Sequence, residues 1–253
     1  MDASPMRYWA RYGLLLSLLL TPALGWCQKT TVTGRIDLTR IDSTKDKASS
    51  AIADKSNIVV WLTPVDNSSG KNADLAPAAP QRAQLLQKDK SFKPHILVIP
   101  MGTVVEFPNR DPIFHNVFSL FEGKRFDLGL YEAGTTRAVR FDHPGISYIF
   151  CNIHPEMSAV VVVMATPYYG TSDRAGQISI ASVPPGRYIL HVWHERSLPE
   201  MLKNLTREIV VPEGAASFGT LHVAEAGSLY KSHKNKYGRD YDPPVPASPV
   251  YNH

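Results

Sequence analysis

The sequence predicts an all-β protein, built as antiparallel sandwich or barrel layers, on three observations. Short apolar runs rich in β-branched and aromatic residues recur at close spacing: "AQLLQK", "HILVIP", "TVVEFP", "HNVFSLF", "RFDLGLY", "TRAVRF", "ISYIF" and "AVVVVMA". Turn signals separate them, at Met101-Gly102, "NRDP" (109–112), "EAGT" (132–135) and "HPG" (143–145). No long stretch has helical periodicity; "LPEMLKNLTREI" (198–209) is the nearest, and supports one or two turns.

The elements follow in order. Arg7 and Arg11 precede a short apolar run, "GLLLSLLL" (13–20), with Ala23 and Gly25 offering small residues for cleavage. Residues 1–25 therefore read as an export signal, too short to be a transmembrane span, and the expected location is the periplasm. Trp26 before Cys27 argues against a lipoprotein box. Residues 28–66 hold two strands, "TTVTGRIDL" (30–38) and "SNIVVWLTPV" (56–65), and a polar Pro/Ala-rich loop covers 67–83. The repeated strands occupy 83–166. Residues 167–226 carry a further strand, Pro-Gly turn, strand pattern, in which Tyr188, Leu190 and Val192 alternate onto one face. From Gly227 the chain is basic, Tyr/Pro-rich and aperiodic, and reads as a flexible tail over 227–253. The sequons "NSS" (67–69) and "NLT" (204–206) read as accidental.

The chain has 27 Lys and Arg against 23 Asp and Glu, a formal charge of +4. Charge this mild and scattered excludes nucleic acid as the expected partner. With Cys27 at the signal boundary, Cys151 stands alone in an oxidising compartment, and metal coordination is a good reason to keep it.

The stretch "CNIHPEM" (151–157) places a thiol, an imidazole and a thioether three residues apart. Pro155 breaks any helix there, and the strands on either side make it a tight loop. The useful fourth candidate upstream is His115, opening a strand after the "NRDP" turn. Two imidazoles and a thiolate suit zinc as well as copper. A thioether added to them is the trigonal His₂Cys pattern with a weak axial Met that defines blue copper. Adjacent His194 and Glu195 in "WHE" point to opposite faces of a strand, so the sequence predicts no second metal site there.

In Cys151-x-x-His154-Pro155-x-Met157, together with "FKPHILVIPMGTVVEFPNRDPIFHNVFS" (92–119), the chain resembles the cupredoxin (type 1 blue copper) family, nearest its amicyanin and plastocyanin-like members. The resemblance covers roughly residues 83–166. It implies a Greek-key β-sandwich with one type 1 copper held by His115, Cys151, His154 and Met157. It implies that Asn116 ties the two ligand-bearing loops together, that Pro155 stiffens the ligand loop, and that the ring edge of His154 reaches the surface. Glu156 departs from it, placing a charge where amicyanin is apolar. Asp173, Gly176, Pro185, Gly186 and Tyr188 resemble a second family, the carboxypeptidase regulatory-like (immunoglobulin/transthyretin-like) β-sandwich. "VTGRI" and "NIVVWL" fit its first strands, so the copper domain is expected to be inserted into a split sandwich.

The function these readings imply is single-electron carriage by Cu(II)/Cu(I) cycling, without substrate chemistry and so not as an enzyme. The expected partners are redox proteins such as a periplasmic dehydrogenase or a c-type cytochrome. The rival is a protein that binds and delivers copper without electron transfer. An oxidase or nitrite reductase would need a further copper cluster with extra His-x-His patterns or a second cupredoxin domain, and the chain has no His-x-His pair.

Overall fold

The computed structural model describes residues 29–41, 50–65, 81–120, 123–226 and 234–241. The signal segment, Cys27, the first sequon at 67–69, most of the Pro/Ala-rich loop and most of the tail lie outside them, while the second sequon at 204–206 lies inside. The described residues are nearly all β, in eighteen strands and one short helix. No helix among them is long and apolar enough to cross a membrane.

The first sandwich is built from both ends of the chain. Strand β1 (Thr30–Arg40) runs antiparallel to β15 (Gln177–Val183), parallel to β18 (Ala216–Glu225), and meets the short β2 (Ser50–Ala51) at its end. The facing sheet is ordered β14 (Tyr169–Thr171), β3 (Val59–Pro64), β16 (Gly186–Trp193), β17 (Arg207–Val211). Alternation does the work: Val32, Ile36 and Leu38 of β1 face Val60, Leu62, Tyr188 and Leu190 across one apolar cluster. Gly34 is required by packing, because a Cβ there would sit 1.9 Å from the Phe218 ring. The candidate helical stretch gives α1 (Pro199–Lys203) before β17 begins at Arg207.

Between β3 and β14 the chain builds a second sandwich. One sheet is ordered β10 (Phe126–Tyr131), β9 (His115–Ser119), β12 (Gly145–Phe150), β13 (Ser158–Met164), β7 (Ile96–Pro100). The other is β11 (Thr136–Arg140), β8 (Val104–Pro108), β4 (Arg82–Gln84). A small ladder of β5 (Leu86–Gln87) and β6 (Phe92–Lys93) closes one end. Pro100 is accommodated because β7 is an edge strand.

Strand β13, "SAVVVVM", explains how the two sandwiches meet. An unbroken apolar run has no polar face to turn to water, so it must be covered on both sides. Ala159, Val161 and Val163 join the core of the second sandwich, while Val160, Val162 and Met164 join the cluster of the first. Each buried valine contributes about 1.5–3 kcal/mol of transfer free energy. One polar link crosses the same boundary: His95, just before β7, holds Glu195 at 2.7 Å and the Ser158 carbonyl at 3.1 Å. His194 and Glu195 diverge, the former buried against Ser197 Oγ at 2.9 Å.

Candidate metal centre

Strand β9 is buried along its whole length because it lies inside its sheet, between β10 and β12. His115, its first residue, is fully buried, and β12 delivers Cys151 beside it at the start of the loop 151–157. That loop is closed by its own backbone: the Cys151 N–H donates to the Met157 carbonyl at 3.2 Å, and the Met157 N–H donates to the His154 carbonyl at 3.0 Å. Three residues per step thus become one tight turn, with Cys151, His154 and Met157 all buried and Pro155 and Glu156 facing solvent.

Three donor atoms converge. His115 Nδ1 and His154 Nδ1 lie 3.1 Å apart, and the Cys151 sulfur is 3.9 Å from the first and 3.6 Å from the second. Together they are the one cluster of potential metal-binding groups among the described residues. The point equidistant from these three atoms lies about 2.1 Å from each, the length of a metal–imidazole bond and close to that of a metal–thiolate bond. The donor set therefore fits a three-coordinate N₂S metal in size as well as in chemistry. Met157 is fully buried and packs in the same core as Cys151.

Charge and hydrogen bonding prepare these atoms. His115 Nε2 lies 2.7 Å from Asp111 Oδ2. With that N–H given to the carboxylate, the Nδ1 lone pair is left for a metal. Burial pushes the Asp111 carboxyl up, but bonds from His115 and from the backbone N–H groups of Lys90 and Asp89 outweigh it, and the net shift is down. Burial also raises the Cys151 thiol, opposed by the backbone N–H groups of Asn116, Ile153 and His154 directed at the sulfur. Burial, and then the neighbouring His115, lowers His154 and keeps it neutral. His154 retains 7% of its surface, against none for His115.

The structure brings His115, Cys151 and His154 together, and places Met157, fully buried, at the end of the same loop. Asn116 differs in detail from the expected tie: its main-chain N–H faces the Cys151 sulfur, while its side-chain amide donates to Asp127 Oδ1 at 2.7 Å. The sequence marks Asp111 only as a turn residue, although a carboxylate four residues before His115 is a usable signal. The expected tail is in part a structured element, since residues 234–241 bond to Cys151 and Asn152 of the loop 151–157. Those residues form their own turn. Asn235 Oδ1 accepts the N–H groups of Tyr237 and Arg239, Gly238 takes φ +75°, and Lys234 pairs with Asp240 at 2.6 Å.

No protein-family model matches the sequence, and no curated protein matches it. Among solved structures, a purple cupredoxin from Nitrosopumilus maritimus is 26% identical over 32% of this chain and 99% of its own, with a TM-score of 0.30. A copper-containing nitrite reductase from Thermus scotoductus is 25% identical over 40% of this chain, with a TM-score of 0.33; the match spans only 25% of that enzyme. A reduced mutant of amicyanin is 20% identical over 36% of this chain and 89% of its own, with a TM-score of 0.32. At these scores the likeness defines neither a family nor a function for the chain.

Proposed function

We propose that this chain is an exported type 1 copper protein that carries single electrons between periplasmic redox partners. The observation that carries the proposal is the triangle of His115 Nδ1, His154 Nδ1 and Cys151 Sγ, sized for one metal and fixed by strands on two sides. A bound copper ion would supply one-electron cycling between Cu(II) and Cu(I). Copper is favoured over zinc by the thioether of Met157, a donor that zinc seldom takes.

Each residue has a distinct part. Cys151 would give up its proton to become the thiolate ligand, helped by three backbone N–H groups around the sulfur. His115 is held in one tautomer by Asp111, and His154 offers a neutral nitrogen. Met157 would be a weak thioether donor, holding Cu(II) less firmly than a harder ligand would and so leaving the potential high. The loop closed by two backbone bonds would keep the donors nearly still between oxidation states, and His154, less deeply buried than His115, would be the exit for an electron. Redox proteins such as a periplasmic dehydrogenase or a c-type cytochrome suit such a site, and no substrate chemistry is assigned to it.

Voltammetry of the copper-loaded protein tests this reading. A reversible one-electron wave, with metal retained through repeated cycles, is expected. Loss of the metal to a chelator on each reduction would point instead to copper delivery.

A further inference from the structure

The described part of the C-terminal region, residues 234–241, makes contacts on both sides of the metal centre. On the loop side, the Tyr241 hydroxyl donates to the Cys151 carbonyl at 2.7 Å, and the Lys236 N–H donates to Asn152 Oδ1 at 2.9 Å. On the strand side, Lys236 Nζ reaches Asp127 Oδ2 at 2.8 Å, and the other oxygen of that carboxylate accepts the Asn116 amide. Asn116 directly follows His115. A continuous path therefore runs Asn116, Asp127, Lys236, Asn152, joining the histidine strand to the cysteine loop without passing through the donor atoms.

We propose that residues 234–241 are a strap that positions the ligand loop against the histidine strand, with Tyr241 and Lys236 as its positioning residues. Such a path holds Cys151 and His115 in place before any metal arrives, and resists their separation afterwards. The turn that presents it is self-supporting: Lys234 pairs with Asp240, and Asn235 caps the backbone around Gly238. The segment therefore presents both groups in fixed register. The spacing is specific, since Tyr241 grips the carbonyl of the ligand Cys151 and Lys236 grips the next residue. The effect on metal retention rests on the copper reading above; the effect on loop order does not.

Two variants of the full-length protein test it, Tyr241→Phe, which removes one hydroxyl, and Lys236→Met, which keeps the stem but removes the charge. In the metal-free protein, amide hydrogen exchange across 152–157 is expected to quicken about fivefold in each variant, with β17 unchanged. In the copper-loaded protein, transfer of Cu(I) to bathocuproine disulfonate is expected to quicken by about tenfold. Exchange at 152–157 within about twofold of the parent protein in both variants would overturn the strap, as would a uniform rise that includes β17. If the loop loosens in the variants while the parent protein takes up no copper, the strap stands and the copper reading falls.

Discussion

Asp111 Oδ2 stands 2.7 Å from His115 Nε2, and the same carboxylate caps the backbone N–H groups of Asp89 and Lys90. The carboxylate is thus anchored from the far side, and cannot turn away from the imidazole without abandoning two further bonds. Asp111→Asn keeps the shape but loses the charge. It is expected to weaken copper binding by about 10–100-fold, measured by competition with a chelator. Unchanged affinity would mean that the backbone alone fixes the His115 ring.

The two sulfur residues are separable. Cys151→Ser should remove the intense thiolate-to-copper colour while the protein stays folded by circular dichroism; unchanged colour would dismiss Cys151 as a ligand. Met157→Leu should keep the metal and raise the reduction potential, because the axial donor is lost. A lowered potential, or loss of the metal, would rule out Met157 as that weak ligand.

Acid stability should carry the mark of His194. Burial lowers its pKa from 6.5 to about 4, so below pH 6.5 the unfolded chain binds a proton that the folded chain refuses. Stability therefore falls as the pH drops from 6.5 towards 4, by about 3 kcal/mol for this one group. His194→Gln should flatten that part of a urea-midpoint profile. His95 acts in the opposite sense: its bond to Glu195 raises its pKa, so its contribution is complete below pH 6.5 and is lost as the pH rises through the raised value. A midpoint profile of the Gln variant with the same slope as the parent would exclude His194 as the cause.

Strand β13 should couple the two sandwiches. Val161 packs into one core and Val162 into the other, one residue apart on one strand. Each change to Ala should cost about 2 kcal/mol and shift one common thermal transition. Two transitions, with Val161→Ala moving only one, would show that the sandwiches unfold separately.

Much of this was legible in the sequence for definite physical reasons. Period-two alternation in β16 follows from a sheet with one face to the core, and Tyr188, Leu190 and Val192 are all buried. The loop from Cys151 to Met157 was readable because proline, β-branched flanks and three soft donors allow few conformations. Three features were not. Asp111 looked like an ordinary turn residue, because the backbone N–H groups that anchor it, at Asp89 and Lys90, come from a turn far earlier in the chain. Residues 234–241 have no hydrophobic period, and their order comes from Asn, Gly and ion pairs within one turn. The doubly buried β13 was visible as an apolar run, but which sheet covers each face depends on tertiary packing. Asn116 falls between, since its position was informative while its side chain went to Asp127 instead.

The measurement that bears most directly on the central claim is the visible absorption and EPR spectrum of the full-length protein after addition of one equivalent of Cu(II). Coordination by the Cys151 thiolate and two imidazoles predicts an intense visible charge-transfer band with a narrow copper hyperfine splitting. A colourless protein with an ordinary Cu(II) spectrum, or one that binds no copper, would contradict it.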